Sequence, residues 1–469
     1  MAHSFTPTKK PIAACIWAAA LLAVCFCVAA VASAVAPNAA YAEVRKADLI
    51  MGDTVENRQL TVSQCPDIEA QYAYVVDEDG TVYFERDADE ETQIASITKV
   101  MTAIVAIENG DLEDEITVSE KAAEIGESSA ELQEGDTLTL EQALRALMVP
   151  SGNDAAEALA EFYGHQMLEA EGDDTTNWNE TAARFVEAMN EKAAEIGMEN
   201  TVFTNPHGLD YDVYEGELHS TARDVAKMVA YAMQDSTFRE VVALGDTTIK
   251  VNRDGSKAGI ELEPTDELIG NYDGACGVKT GYTELAGNCF AAACNRDDKD
   301  LYAIVLNSSD ETQRFNDAET LFDWVYDHTV DVPIANSSEE CTMEVDGETQ
   351  TVPVIAEAAY PGWVDATFKV TLADKDASVQ VFDLNGNVSQ TVQMDSLGGD
   401  IHVGDKVGTL NLYQRNELVA SVELVAAEEQ RGPNIFEQIG VFFDRLISGR
   451  TQASDILYNE LPLLNDKTS

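Results

Sequence analysis

The sequence predicts a mixed α/β (α+β) region followed by an all-β sandwich domain. Three observations predict it. A β-rich hairpin centred on Asp79-Gly80 is followed by a long helical stretch, and strands return between Gly274 and Ser308. From about Val330 to Ala427 the texture changes to short alternating strands with Gly, Asp and Asn turns. The chain has 469 residues and is 45% apolar, enough for two or three domains with their own cores.

The N-terminus carries Lys9 and Lys10, an apolar run from Ile12 to about Val35, and the small-x-small site Ala40-Tyr41-Ala42 before Glu43. Residues 1–42 read as an export signal peptide. The apolar run is long enough to span a bilayer, so an uncleaved anchor is the alternative. Val24 stands where a lipid-attachment site before Cys25 needs a small residue.

After the leader, "AYVVDEDGTVYFERDADEE" gives the hairpin, and "SITKVMTAIVAIENG" (96–110) gives a helix that is apolar almost all round, the mark of burial. From about Ile116 to Gly197 the pattern is helical, in "TLEQALRALMV", "NDAAEALAEFYG" and "TAARFVEAMNEKAAEIG". "NPHGLD" (205–210) is a loop, and "STARDVAKMVAYAM" is a helix with Ser220 as its expected N-cap and Asp224 in its first turn. Strands follow at "GACGVKTGYTELAGNCFAAAC" and "DLYAIVLNS", then a helix ending near His328. In the all-β stretch, Asn385-Gly386 and Arg415-Asn416 read as hairpin turns.

Composition excludes several functions. With 29 basic and 85 acidic residues the formal net charge is −56, which argues against nucleic acid and against electrostatic attachment to anionic lipid. Outside the leader there are five cysteines: Cys65, Cys276, Cys289, Cys294 and Cys341. Their number is odd and their spacing fits no zinc pattern; they read as small buried hydrophobes, with one disulfide left open. The six histidines show no metal-ligand spacing, and phosphate and cofactor motifs are absent, so no metal or cofactor is expected.

The chemistry begins with Lys99, one helical turn after Ser96. A serine needs a base within hydrogen-bond reach to attack a carbonyl, and burial converts an ammonium into a neutral amine that can serve. The plainer reading is a lysine that snorkels to the surface. "MVPSGNDAAE" places Ser151-Gly152-Asn153 at a loop–helix junction, where capping is the plain reading. "GVKTGYT" places Lys279-Thr280-Gly281 at a strand end, where an exposed turn is the plain reading and Gly281 would permit close backbone approach to a ligand.

S-x-x-K, S-x-N and K-T-G occur here in order, each in the expected local setting, and together form one signature. In these residues the chain resembles the penicillin-binding serine acyl-transferases, and more narrowly the low-molecular-mass D-alanyl-D-alanine carboxypeptidases. The blocks "ASITKVMTA", "VPSGNDAAEALAE", "FTNPHGLD", "HSTARDVAKM" and "GVKTGYTELAGNCF" carry that narrower likeness, and "HVGDKVGTLNLYQRNELVASVELVA" resembles the end of the family's C-terminal β domain. The resemblance runs from about Ala70 to Ser448; Gly152, where many penicillin-binders have Asp, is usual in the subgroup.

The resemblance implies a penicillin-binding/β-lactamase-like transpeptidase fold: an antiparallel sheet between helices, with a helical subdomain inserted between the Ser96 helix and the Lys279 strand and a cleft between them. It implies Ser96 as nucleophile and Lys99 as its base. Ser151 and Lys279 would relay a proton to the leaving D-alanine, and Asn153 would hold the Lys99 side and the substrate amide. Thr280 and Gly281, with Lys279, would bind substrate, and the backbone N–H groups of Ser96 and Tyr282 would form the oxyanion hole. The implied activity is removal of the terminal D-alanine from peptidoglycan stem peptides, with β-lactams as covalent inhibitors. A D,D-endopeptidase or β-lactamase of the same superfamily, or an inert envelope binding protein, are the alternatives; the β domain and the missing "E-x-x-x-N" block after Ser151 speak against a class A β-lactamase.

The expected domains are a signal peptide (1–42), a catalytic domain (43–329), an all-β domain (330–427) and a C-terminal segment (428–469). In that last segment Ile435, Phe436, Ile439, Phe442, Phe443, Leu446 and Ile447 fall on an arc of roughly 140° at 100° per residue. Because the family places a membrane-surface helix there, residues 434–448 are expected to lie on the outer face of the cytoplasmic membrane, followed by a polar tail.

Overall fold

The computed structural model describes residues 43–345, 347–449 and 453–464. The expected signal peptide lies outside the described residues. Residues up to Phe322 form one compact unit and those from Asp323 onward form another.

The first unit is built on a seven-stranded antiparallel sheet. Its strands are β1 (Leu49–Ile50), β2 (Asp53–Thr54), β3 (Tyr72–Asp77), β4 (Val82–Arg86), β9 (Ala275–Thr283), β10 (Gly287–Arg296) and β11 (Lys299–Ser308), in the order β2-β1-β4-β3-β11-β10-β9. The hairpin around Asp79-Gly80 joins β3 to β4 as expected. β11 is buried along most of its length and β10 through its centre, Cys289 to Cys294, and β9 closes one edge of the sheet. That edge position leaves one side of β9 unpaired within the sheet.

A second, four-stranded sheet was not expected. Its strands are β5 (Glu115–Thr117), β6 (Thr137–Thr139), β7 (Thr247–Arg253) and β8 (Ser256–Leu262), in chain order. The helical expectation for 116–197 is corrected at β5 and β6: three residues are too few for a period-2 pattern to register. β7 and β8 do alternate, around an Asp254-Gly255 turn that the sequence reading passed over.

Among the described residues the longer helices within this unit are α1 (Lys99–Asn109), α2 (Leu140–Met148), α3 (Asn153–Glu171), α4 (Trp178–Glu195), α5 (Ala222–Ala232) and α6 (Ser236–Val242). The Ser96 stretch opens with a 3-10 turn, Ala95–Thr98, and continues directly into α1. Val100, Met101, Ala103 and Ala106 are fully buried and Ile104 and Val105 nearly so, as its all-round apolar pattern requires. α5 is capped by Thr221, not Ser220: the Thr221 hydroxyl accepts from the Asp224 N–H at 3.1 Å. Ser220 is buried one residue earlier, where its hydroxyl pairs with that of Thr201 at 2.8 Å. A further helix, α7 (Gln313–His328), crosses the division between the units.

The second unit is strand-rich. A six-stranded antiparallel sheet contains β15 (Ala356–Ala359), β16 (Thr367–Leu372), β18 (Val388–Met394), β19 (Lys406–Gln414), β20 (Glu417–Ala426) and β21 (Ile456–Leu457). Two strand pairs accompany it: β12 (Thr329–Pro333) with β17 (Ser378–Phe382), and β13 (Glu340–Val345) with β14 (Glu348–Pro353). Phe368, Val370, Val407, Leu410, Leu412 and Leu424 form much of its apolar core. Arg415-Asn416 is a hairpin turn, both residues having positive φ between β19 and β20. Asn385-Gly386 is not: it ends a 3-10 turn between β17 and β18, which pair with different strands. α8 (Ile435–Ser448) follows; among the described residues no helix is long and apolar enough to cross a membrane. The segment after α8, expected as a polar tail, instead returns to the sheet as β21. Cys65, Cys276, Cys289 and Cys341 are free thiols, so no disulfide joins two of the five cysteines among the described residues.

α3 and α4 pack backbone to backbone. A Cβ on Gly164 would lie 1.9 Å from the Thr181 carbonyl oxygen, and Tyr163, Phe185 and Met189 around the crossing are fully buried. Gly164→Ala should therefore force the helices apart and destabilise the fold by about 1–3 kcal/mol, read as a lower urea midpoint at unchanged m-value.

Candidate active site

Ser96 sits in the 3-10 turn that precedes α1, directly after Ala95, whose φ of +48° is a left-handed conformation that a non-glycine residue seldom adopts. One turn on, Lys99 is fully buried, and its ammonium nitrogen lies 2.7 Å from Ser96 Oγ and 3.0 Å from the His207 carbonyl oxygen. Burial pushes the Lys99 pKa well below its ordinary value, the Lys279 charge pushes it further down, and Asp154 opposes both. The helix that wants a core thus takes its lysine in with it, and the lysine reaches a serine rather than solvent.

Lys279 projects from β9 and is 1% exposed. It donates to the Thr280 carbonyl at 3.2 Å and lies 3.5 Å from the Thr265 hydroxyl. Burial first, and then the Arg314 charge, lower its pKa to about 7 against the pull of Asp266. The Thr280 hydroxyl donates to that of Thr265 at 2.7 Å. Gly281 presses on the Ser96 turn: a Cβ there would stand 2.8 Å from the Ile94 carbonyl oxygen and 3.2 Å from the Ser96 nitrogen. The close approach that glycine permits is to this turn. Tyr282, 60% exposed, stands at the lip.

Ser151 has a φ of +66° and is buried; two residues later Asn153 opens α3. The expectation that Asn153 holds Lys99 is corrected. Its Nδ2 donates to the Gly126 carbonyl at 3.0 Å, while Lys99 is held by Ser96 and His207. The Asn153 Oδ1 is buried without a hydrogen-bond partner among the described residues, an acceptor available to an incoming N–H. The loop that supplies Gly126 is pinned by Asp154, whose carboxylate accepts from the Ser129 hydroxyl at 2.7 Å and from the N–H groups of Ala130 and Leu132.

Ser96, Ser151, Asn153, Thr280 and Tyr282 open onto one cleft of about 990 Å³, with Lys99 and Lys279 sealed behind it. Three contributors escaped the sequence reading. Arg314, on α7, lines the cleft with its Nε unpartnered among the described residues and its Nη1 3.4 Å from the Gly281 carbonyl. Its only sequence signal is a basic residue at the start of a helix. Thr265 carries no motif, and His207, although inside the block "FTNPHGLD", contributes through its backbone carbonyl, which residue type does not reveal.

Lys279 has a sign-definite consequence for stability. Its folded pKa of about 7 lies below the ordinary 10.5, so between those values the unfolded chain binds more protons and stability rises with pH. Lys279→Met removes that penalty. The variant should exceed the wild type by roughly 2–4 kcal/mol at pH 7, and the gap should close towards pH 10 in denaturant unfolding.

A family profile described as D-alanyl-D-alanine carboxypeptidase matches residues 58–310. The D-alanyl-D-alanine carboxypeptidase DacF of Bacillus subtilis (strain 168) is 27% identical over 372 residues, 77% of this chain and 86% of that one. The D-alanyl-D-alanine carboxypeptidase of Streptomyces sp. (strain K15) is 32% identical over 288 residues, 59% of this chain and 94% of its own. The crystal structure of the Streptomyces K15 DD-transpeptidase superposes with a TM-score of 0.51 at 32% identity, covering 55% of this chain and 97% of that one. The fold, the serine–lysine cleft and these matches place the chain in the D-alanyl-D-alanine carboxypeptidase family, the low-molecular-mass penicillin-binding serine peptidases of the cell wall.

Proposed function

We propose that this chain is an exported carboxypeptidase that removes the terminal D-alanine from peptidoglycan stem peptides through an acyl-enzyme on Ser96. The observation that carries the reading is the 2.7 Å contact between Ser96 Oγ and a lysine with no solvent exposure. Neutral Lys99 takes the hydroxyl proton as Oγ attacks the carbonyl of the penultimate residue. The His207 carbonyl, accepting one amine hydrogen, keeps the nitrogen lone pair aimed at Ser96. The backbone N–H groups of Ser96 and Tyr282 receive the oxyanion. Ser151 and Lys279 pass the proton to the leaving amine, D-alanine departs, and water then releases the shortened peptide from Ser96.

Substrate placement follows from the same side chains. Arg314 and the Thr280 hydroxyl take the terminal carboxylate, which makes a charge-assisted bond with the guanidinium. Asn153 Oδ1 accepts the substrate amide N–H, and the open side of β9 lets an extended peptide lie along it as an added strand.

Residues 1–42 are taken as the signal peptide, 43–329 as the catalytic domain, 330–427 as the β domain and 428–469 as the attachment segment. α8 exposes all seven of its arc residues, from 51% at Ile439 and Phe443 to 85% at Phe436. An apolar face of that kind supports attachment to the outer face of the cytoplasmic membrane.

Ser96→Ala should abolish both D-alanine release from a pentapeptide and covalent labelling by a fluorescent penicillin at nearly unchanged thermal stability. Labelling that persists in this variant would refute the nucleophile assignment. Lys99→Arg should lower the acylation rate about 10²–10⁴-fold, because guanidinium keeps its proton. In the wild type acylation should rise with pH as Lys99 loses its proton; a rate flat from mildly acidic to alkaline pH would remove Lys99 as base. Arg314→Ala should cost roughly ten- to a hundredfold in kcat/KM on peptides with a free terminal carboxylate, and little on the corresponding amide.

A further inference from the structure

α8 is not a free appendage, because the chain is tied down on both sides of it. At its entrance Asn434 caps the first turn, accepting from the Phe436 and Glu437 N–H groups, and the Glu437 carboxylate accepts from the Asn434 N–H at 2.8 Å. Glu437 also pairs with Arg431, whose carbonyl accepts from Trp363 Nε1 at 2.9 Å. On the polar side of the helix, Arg445 donates to the carbonyls of Pro361 and Trp363 at 2.8 and 3.1 Å.

Beyond the helix the chain returns to the same sheet. Asp455 accepts from the Ala359 N–H at 2.8 Å, and Ile456 and Leu457 pair with Glu357 and Ala356 of β15. The lock is Asn459, which is 4% exposed. Its Oδ1 accepts from the Asn336 N–H at 2.8 Å, and its Nδ2 donates to the Ile334 carbonyl at 2.8 Å and to Gln390 Oε1 at 2.9 Å. Its own carbonyl accepts from Gln390 Nε2 at 2.6 Å. A buried side-chain amide with every group satisfied specifies one register, since a slip would strand polar groups in the interior.

We infer that residues 453–464 form a clasp that keeps α8 folded, polar side down, as a preformed platform for a net-neutral lipid surface. This rests on the membrane reading given above. An isolated helix of this length is marginal in water, so an untethered α8 would have to fold at the moment of binding. The clasp removes that ordering cost beforehand. The lipid class follows from charge. Arg445 is committed to two carbonyls and Arg431 to Glu437, so neither is offered to an anionic headgroup, and the chain's −56 repels one.

The test uses residues 43–469 with phosphatidylcholine vesicles. Three variants are compared with it: a chain ending at Gly449, full-length Asn459→Asp, and full-length Phe436→Ser/Phe442→Ser/Ile447→Ser. Partitioning is measured by flotation, and amide hydrogen exchange across 435–448 is measured without lipid. The parent should float, with the last turns of α8 protected, and should bind more weakly when phosphatidylglycerol is added. The shortened chain and Asn459→Asp should lose that protection and partition at least about tenfold more weakly, though both keep the whole apolar face. All three variants should release D-alanine in solution at the parent rate. Partitioning of the shortened chain and Asn459→Asp as tightly as the parent would overturn the clasp while leaving the membrane reading intact. A parent that does not float, or floats no better than the triple Ser variant, would overturn the membrane reading and the clasp with it.

Discussion

The burial of the Lys99 ammonium is the constraint on which the first unit turns. Removing a lone cation from water costs several kcal/mol, and among the described residues no carboxylate contact offsets it. The nearest compensation is dipolar: a serine hydroxyl at 2.7 Å and a peptide carbonyl at 3.0 Å. Under those terms burial favours the neutral amine, the form that the proposed role as base requires. The long apolar face of α1 is what makes the burial unavoidable, because rotating the helix to free Lys99 would expose Val100, Met101 or Ala103.

The surrounding architecture keeps that environment from relaxing. β9, on the sheet edge, brings Lys279 near enough to lower the Lys99 pKa further, and Gly281 lets the strand press on the Ser96 turn. Asp154, a residue after Asn153, commits its carboxylate to the loop that carries Gly126 rather than to a lysine. Thr102 donates to the Pro206 carbonyl at 2.5 Å, which fixes the loop whose next carbonyl, that of His207, holds Lys99. Helix, strand edge and two loops converge on one amine, each by a backbone or buried contact with little room to adjust.

What was legible in the sequence follows from how local each signal is. Ser96 and Lys99 are one turn apart on a helix whose pattern is plain, so their meeting could be read directly. Ser151, Asn153 and Lys279 needed the three-motif order as well, because each alone reads as a cap or a turn. Arg314 could not be read: it lies well beyond Thr280 on a different element and reaches the cleft only through the fold. The carbonyl of His207 is invisible for another reason, since a backbone acceptor leaves no mark on residue type. In the inserted sheet β5 and β6 are too short to show a pattern, whereas β7 and β8 alternate legibly around Asp254-Gly255; the helix cap was misplaced by one residue because Ser220 and Thr221 are both good caps. The return of the chain through Asn459 was missed because a buried amide lock looks like any polar tail residue.

The central claim is that burial shifts Lys99 towards the uncharged amine, and the protonation state can be observed directly. In protein labelled with 13Cε-lysine, with the resonance assigned by its loss in Lys99→Met, the chemical shift can be followed by NMR from about pH 5 to 11, a range that includes the ordinary lysine titration. The Lys99 signal should change to that of a neutral amine at a pH well below the transition of the surface lysines. A Lys99 signal that keeps the ammonium shift throughout that range would contradict it.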